Sequence, residues 1–373
     1  AACLALALLA LSAADDMKDY GYPKWKCDAE VMKKSKTVPT SVHSLRYADI
    51  NVIAALGDSL TAANGAGAEP HDVLGVAIQY RGLAWSMGGD KSLEEHVTLT
   101  NILKKFNPDI FGYSIRTGSA NVWETAHLNT AIPGAKSHML MEQATDLVRR
   151  MKEHPTEVDI ENDWKLVHIF IGANDVCEWC GRPDTLSSDD FRDNLEAAIQ
   201  ILKDNLPRTV VVLVGLVDVS LLRVSDADKK FCELTHLIEC HCEENTKVDI
   251  PSETKKYQAA EQELVDGRFD TADDFTLVIQ PFFEETDHLP LMPNGEPDFT
   301  FFAPDCFHFS QFGHGVVGKT LWNNMLQPVG MKDRSVNLTD LTPPLNCPEK
   351  ACPFIRTSKN SVNCAPYMTP AAN

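Results

Sequence analysis

The sequence is short of positive charge: 34 Lys and Arg stand against 53 Asp and Glu, a formal net charge of −19. There is no excess of cations to neutralise phosphates, which argues against nucleic acid as a partner. The same deficit argues against long-range attraction to anionic membranes, while leaving apolar or local contact with lipid open. Long hydrophobic runs are missing too. The opening stretch AACLALALLALSAADD falls short of the ~20 residues that a membrane span needs, and no later segment reaches that length. Residues 1–14 read as the apolar core and cleavage region of a secretory signal peptide, truncated at a start with no Met and no basic flank. Internal repeats, low-complexity tracts and flexible linkers are absent, so the 373 residues read as one domain with a sizeable core.

Cysteine, by contrast, is plentiful at 11 residues. Cys3 lies in the presumed leader, which leaves Cys27, Cys177, Cys180, Cys232, Cys240, Cys242, Cys306, Cys347, Cys352 and Cys364. An even number in an exported chain predicts disulfides. A zinc site from Cys177-x-x-Cys180 with Cys240-His241-Cys242 is the rival reading. Oxidising export and the lack of C-x-x-C spacing in the second cluster disfavour it. Asn337-Leu338-Thr339 is a glycosylation acceptor sequence, again consistent with secretion.

From about Asp49 onward, apolar runs alternate with amphipathic stretches. VIAAL (52–56), YRGLAWSM (80–87), KLVHIFIG (165–172), TVVVLVGLVDV (209–219) and FTLVIQPFF (275–283) read as strands, most of them apolar enough to be buried on both faces. Helices are expected over 137–154, 187–207 and 310–326; the second has a Ser cap and a stripe of Phe191, Leu195, Ala198, Ile199 and Leu202. Such alternation implies an α/β fold with a parallel sheet and helices on both faces. Residues 15–48 are charged and aperiodic and read as an N-terminal surface segment. Residues 49–327 form the main domain, and 328–373 a Cys- and Pro-rich extension packed on it.

In this architecture chemistry belongs at the carboxyl ends of the strands. VIAAL is followed by Gly57-Asp58-Ser59-Leu60, YRGLAWSM by Gly88-Gly89-Asp90, and KLVHIFIG by Gly172-Ala173-Asn174-Asp175. Far downstream, Asp305 and His308 precede a helix. A serine hydroxyl needs a base to become a nucleophile, and histidine suits that task near neutral pH. A carboxylate three residues earlier can fix the imidazole tautomer. The amides of Ser59 and Gly89 and the side chain of Asn174 are candidate donors to an oxyanion. Each residue also has an ordinary explanation: Ser59 and Asp305 as helix caps, Gly88-Gly89 as a turn, Asn174 as a loop partner, His308 as a buried histidine. Their ordered appearance at successive strand ends is the specific signal.

GDSL at 57–60, Gly89-Asp90, Gly172-x-Asn174-Asp175 and Asp305-x-x-His308 together resemble the sequence blocks of the GDSL, or SGNH, hydrolases. The resemblance implies a flavodoxin-like three-layer α/β/α sandwich. It implies Ser59 as nucleophile, His308 as base, Asp305 as its orienter, and an oxyanion hole of Ser59, Gly89 and Asn174. The G-x-S-x-G elbow of α/β-hydrolases is absent. ALGDSLTAANGAGA, QYRGLAWSMGGD, LKKFNPDIFGYS, IFIGANDVCEWC and APDCFHFSQFGHG are similar to the phospholipase B branch, as are PTSVHSLRYADI and LNCPEKACPFIRTSKNS.

That branch implies a secreted or membrane-associated serine esterase acting on phospholipids and lysophospholipids at membrane or micelle surfaces. It implies no metal and no other cofactor. Ala63 departs from the branch, which usually has glycine there. A single unit ending at Pro370-Ala371-Ala372-Asn373 without an apolar tail favours a secreted enzyme, unless the chain continues to an anchor. Cys177 and Cys180 are expected to close a small loop disulfide beside Asn174, and Cys306 to anchor the catalytic turn. The alternatives are a general or carbohydrate esterase of the same superfamily, or an inactive scaffold that binds lipid.

Overall fold

A computed structural model of the chain describes residues 18–226, 230–242, 245 and 247–372. The signal-peptide reading at 1–14, with Cys3, lies outside these residues. In chain order the main elements are β1 (Ile50–Gly57), α1 (Leu99–Phe106), α2 (Leu140–Glu153), β2 (Trp164–Phe170), α3 (Ala173–Trp179) and α4 (Ser188–Asn205). They continue with β3 (Thr209–Val214), α5 (Lys230–Glu239), α6 (Ile250–Glu263), β4 (Phe275–Gln280) and α7 (Gln311–Leu326).

The four strands form one parallel sheet in the order β1-β2-β3-β4, with Ile53 opposite Leu166, Leu166 opposite Val210, and Val210 opposite Thr276. Side chains on successive residues point to opposite faces, so a strand buried on both sides must be apolar throughout. Ile53, Ala55, Leu166, Val210 and Val212 pack into one core with α1 and α7. Val52, Ala54, Leu56, Val167, Val211 and Leu213 pack into the other with α2, α4 and α6. The result is the expected three-layer α/β/α sandwich. The stripe read on α4 is buried as expected, below a Ser187 cap whose hydroxyl accepts from the Asp190 amide.

The strand expected at 80–87 does not form. Arg81–Leu83 is a single 3-10 turn, and the amides of Leu83, Ala84 and Gly88 bond locally to Tyr80, Arg81 and Ala84. Arg81 explains the difference. Its buried guanidinium donates to the carbonyls of Gly118, Asn129 and Ala131, contacts that fix this stretch as a core loop. The free edge of β1 is covered instead by Phe111 and by Leu128–Ile132. The Ala55 amide donates to Leu128, and the Thr130 and Ile132 amides donate to Ala55 and Gly57. The chain therefore leaves this edge at Pro133, beside the carboxyl end of β1.

Residues 15–48 were expected on the surface, yet Val42, Leu45, Tyr47 and Ala48 are fully buried, Tyr47 lying edge-on to Trp322. Cys27–Cys347 joins this segment to the C-terminal extension, where the Ile355 amide also donates to Leu45.

His168 of β2 is fully buried edge-on to Trp85, and neither ring nitrogen is hydrogen-bonded among the described residues. Burial pushes its pKa from 6.5 down to about 3. The unfolded chain takes up this proton as pH falls below 6.5, whereas the folded chain refuses it until about 3. Its contribution to stability is thus intact above pH 6.5 and is lost as pH falls through that window. Urea unfolding at pH 6.5 and 4.5 is expected to show a His168-dependent loss of about 1.4 kcal/mol per pH unit. His168→Leu removes that part of the slope; equal slopes in both proteins would show that the imidazole is not buried neutral.

Candidate active site

Ser59 opens a four-residue helical turn, Ser59–Ala62, at the carboxyl end of β1. Asp58 caps the turn, its Oδ1 accepting from the Leu60 amide at 2.9 Å. Gly57 is pinned by Gln143 of α2, which accepts from its amide and donates to its carbonyl at 2.8 and 2.9 Å. Ala63 ends the turn in the left-handed region at φ 57°, the conformation that glycine adopts most easily. This is the physical reason a glycine suits that position. Asp58 is buried, which pushes its carboxyl up to about 7 against the pull of the Leu60 amide and His308. Ser59 itself is 6% exposed.

At the end of β2, Gly172 (φ 117°) turns the strand directly into α3. The Asn174 side chain donates from Nδ2 to the Ala135 carbonyl at 3.0 Å. Asp175 accepts from the Ser137 hydroxyl at 2.6 Å and from its amide at 3.0 Å. Burial nevertheless holds the Asp175 carboxyl up at about 6. The start of α3 is therefore bound to the loop that follows Ile132.

Gly89, the expected oxyanion amide, is already engaged. The Gly89 amide donates to the Ser114 carbonyl at 2.8 Å, and a Cβ at 89 would lie 2.1 Å from the Tyr113 ring. Its glycine is explained by the close approach of Tyr113, and its amide is committed elsewhere. Gly134, which the sequence analysis did not single out, lies in the loop that Asn174 binds. It has φ 73°, stands in open space next to Ala135, and its amide takes no hydrogen bond among the described residues. A sequence signal was present: an Asn-x-Ala-x-Pro-Gly turn at 129–134, after a stretch without strand periodicity.

Asp305 and His308 lie on a tight turn before α7. Cys306 takes a left-handed conformation there, with φ 62°. Asp305 Oδ1 accepts from the amides of Phe307 and His308, both at 3.1 Å, and Oδ2 accepts from His308 Nδ1 at 2.5 Å. Burial pushes the Asp305 carboxyl up, but His308 and the two amides outweigh it and hold it below its ordinary range. Burial likewise pushes His308 down, and the charges of Asp305, Glu239 and Asp58 more than reverse this, raising its pKa. With Nδ1–H bonded to Asp305, the lone pair sits on Nε2, which is buried and has no hydrogen-bond partner among the described residues. Such a nitrogen can accept a proton. Catalytic hydrogen bonds commonly tighten only when substrate is bound.

The ends of β1 and β2 and the turn before α7 converge on one apolar cavity of about 70 Å³, lined by Leu60, Ala173, Phe307 and Phe309 among others. Leu60 follows Ser59, Ala173 precedes Asn174, and the two phenylalanines flank His308. Glu239, Asp305 and His308 are the described residues whose donor atoms gather closely enough, within 4.8 Å, to hold a cation. The Asp305–His308 hydrogen bond already engages two of them.

The ten cysteines pair as Cys27–Cys347, Cys177–Cys240, Cys180–Cys242, Cys232–Cys306 and Cys352–Cys364. The expected Cys177–Cys180 loop is thus corrected. The segment after α5 packs against α3, with the Cys242 amide donating to Cys177, and this brings two sulfurs to each partner. The zinc alternative falls with the same pairing. Cys306 does anchor its turn, through Cys232 of α5. Thr235 and His236 of α5 also bond to the carbonyls of Asp305 and Cys306, at 2.8 and 3.2 Å.

Comparison with known proteins agrees with this geometry. Residues 53–321 match the family model of the GDSL-like lipases/acylhydrolases. Membrane-associated phospholipase B1 of Homo sapiens is 44% identical over 343 residues, which cover 88% of this chain and 23% of that protein. The Rattus norvegicus protein of the same name is 44% identical over 336 residues, with the same coverage. The chain thus spans about a quarter of the length of these relatives. An acetylxylan esterase structure from Geobacillus stearothermophilus aligns with a TM-score of 0.33 at 15% identity, over 73% of this chain and 93% of that one. A Ser-Asp-His set on a parallel sheet, a family model over most of the chain and relatives at this identity lead to one conclusion: the chain belongs to the GDSL-like lipase/acylhydrolase family.

Proposed function

We propose that the chain is a secreted serine esterase that releases fatty acid from glycerophospholipids and lysophospholipids through an acyl-enzyme. The observation that carries this reading is the buried Asp305–His308 hydrogen bond, which leaves Nε2 unpaired among the described residues, while Phe307 and Phe309 on either side of His308 line an apolar cavity with Leu60 and Ala173. The names of the human and rat relatives support the lipid, and five disulfides support an oxidising destination.

In the first half-reaction Ser59 Oγ attacks the ester carbonyl while its proton passes to His308 Nε2. Asp305 holds the imidazolium that results. The oxyanion takes hydrogen bonds from the Ser59 and Gly134 amides and from Asn174 Nδ2. These donors are fixed before reaction, and so need no reorganisation as charge develops. His308 then protonates the departing glyceryl oxygen, leaving the acyl group on Ser59. In the second half-reaction His308 takes a proton from water, which attacks the acyl carbon and frees the fatty acid. The apolar cavity of about 70 Å³ offers only the first few methylenes of the acyl chain a place out of water.

Wild type and Ser59→Ala, incubated with phosphatidylcholine and lysophosphatidylcholine in EDTA, are expected to differ completely: fatty acid from both lipids with the first, none with the second. Release of fatty acid by Ser59→Ala would contradict the assigned nucleophile, and release from neither lipid by wild type would contradict the substrate. Asn174→Ala is expected to lower kcat by roughly 100- to 1,000-fold while the fold persists, as for loss of one oxyanion donor. A change within twofold would remove Asn174 from the site.

A further inference from the structure

α5 ends in a carboxylate that the mechanism above leaves unused. Glu239 brings a carboxylate oxygen within 4.8 Å of donor atoms of both Asp305 and His308. Its Oε2 is buried and has no hydrogen-bond partner among the described residues. Burial raises the pKa of this group, His308 opposes the rise and Asp305 adds to it, with a balance near 7. A buried carboxylate oxygen left unbonded is costly, so its position must be held by other contacts. Those contacts surround it. Cys232–Cys306 and the Thr235 and His236 hydrogen bonds fix α5 to the Asp305 turn, and Cys240, the next residue in the chain, is tied to Cys177 of α3.

We propose that Glu239 is a positioning residue of the hydrolytic centre: as a second carboxylate facing the Asp305–His308 pair, it sets the pH at which His308 works as a base. The inference rests on the serine-hydrolase reading. When Glu239 is ionised, two carboxylates surround one imidazole. The imidazolium is then favoured, and the neutral base becomes available only at higher pH. The same charge stabilises the imidazolium formed as Ser59 attacks. When Glu239 is protonated, the centre reverts to one carboxylate.

The other charged groups around the pair are accounted for. Asp58, from the end of β1, acts on His308 in the same direction as Glu239. Asp175 of α3 acts on Asp58. His314 of α7 faces the His308 charge and is held well below its ordinary pKa, chiefly by burial. His236 of α5 faces the Cys306 carbonyl. A glutamine at 239 leaves all of these in place.

The test is the rate of Ser59 labelling by a fluorophosphonate, with kcat/KM for a soluble p-nitrophenyl ester, from pH 5 to 9 in wild type, Glu239→Gln and Glu239→Asp. Removing the charge lowers the pKa of His308, so the acid limb of Glu239→Gln is expected to move to lower pH by about half a unit or more. Relative to its own plateau, its rate then rises by up to about threefold near neutral pH, where Glu239 of the wild type is ionised, and the two profiles converge at lower pH, where it is protonated. Glu239→Asp withdraws the charge by one methylene and is expected to move the limb in the same direction by less. Should the glutamine variant fail to fold, the aspartate variant decides alone. Lower plateaus with unmoved midpoints would assign Glu239 a merely structural role and overturn the proposal. Labelling needs no lipid, so a wild type that labels but spares phospholipid would refute the substrate and leave this test intact.

Discussion

Burying an imidazole next to a carboxylate strips hydration from both, and the pair is tolerable only when their remaining polar atoms are engaged. Asp305 and His308 meet that condition asymmetrically. Asp305 spends one oxygen on two backbone amides and the other on His308 Nδ1, while His308 Nε2 is left without a partner. That unsatisfied nitrogen is where the pair can take a proton. The turn that carries the pair needs a left-handed Cys306, so its geometry must be held from outside.

The hold comes from α5. One disulfide and two hydrogen bonds fasten it to the Asp305 turn, and Cys177–Cys240 and Cys180–Cys242 fasten its far end to α3, which carries Asn174. His308 and Asn174, the base and an oxyanion donor in the mechanism we propose, come from segments more than a hundred residues apart, yet they are braced by one helix. The parallel sheet supplies the third part. Alternating side chains lock β1 between two cores, and Gln143 fixes Gly57 immediately before the Asp58-Ser59 turn. Rigid elements thus position all three groups, as catalysis by preorganised donors requires.

The sheet and its helices were legible because burial writes its period into the chain. β2, β3 and β4 are continuous apolar runs, and α4 shows its core stripe residue by residue. YRGLAWSM misled for the same reason: its apolar residues are indeed buried, but as a loop fixed by Arg81, whose carbonyl partners are distant in sequence. The local motifs that hold Ser59, Asn174, Asp305 and His308 lie at element ends, where the sequence places them. The bond from the Gly89 amide to Ser114, and the place of Gly134 next to Ala135, depend on which segment covers the β1 edge, which no local motif shows. The pairing of Cys177 with Cys240, and the approach of Glu239 to Asp305, are tertiary facts with no local trace.

The most direct test is a crystal structure of the wild-type protein after reaction with an alkyl fluorophosphonate. The account predicts phosphorus bonded to Ser59 Oγ, with its non-bridging oxygen accepting hydrogen bonds from the Ser59 and Gly134 amides and Asn174 Nδ2. It also predicts His308 Nε2 within hydrogen-bond reach of the adduct, with Asp305 still on Nδ1. An adduct on another residue, or an oxygen turned towards Gly89 or open solvent, would contradict it.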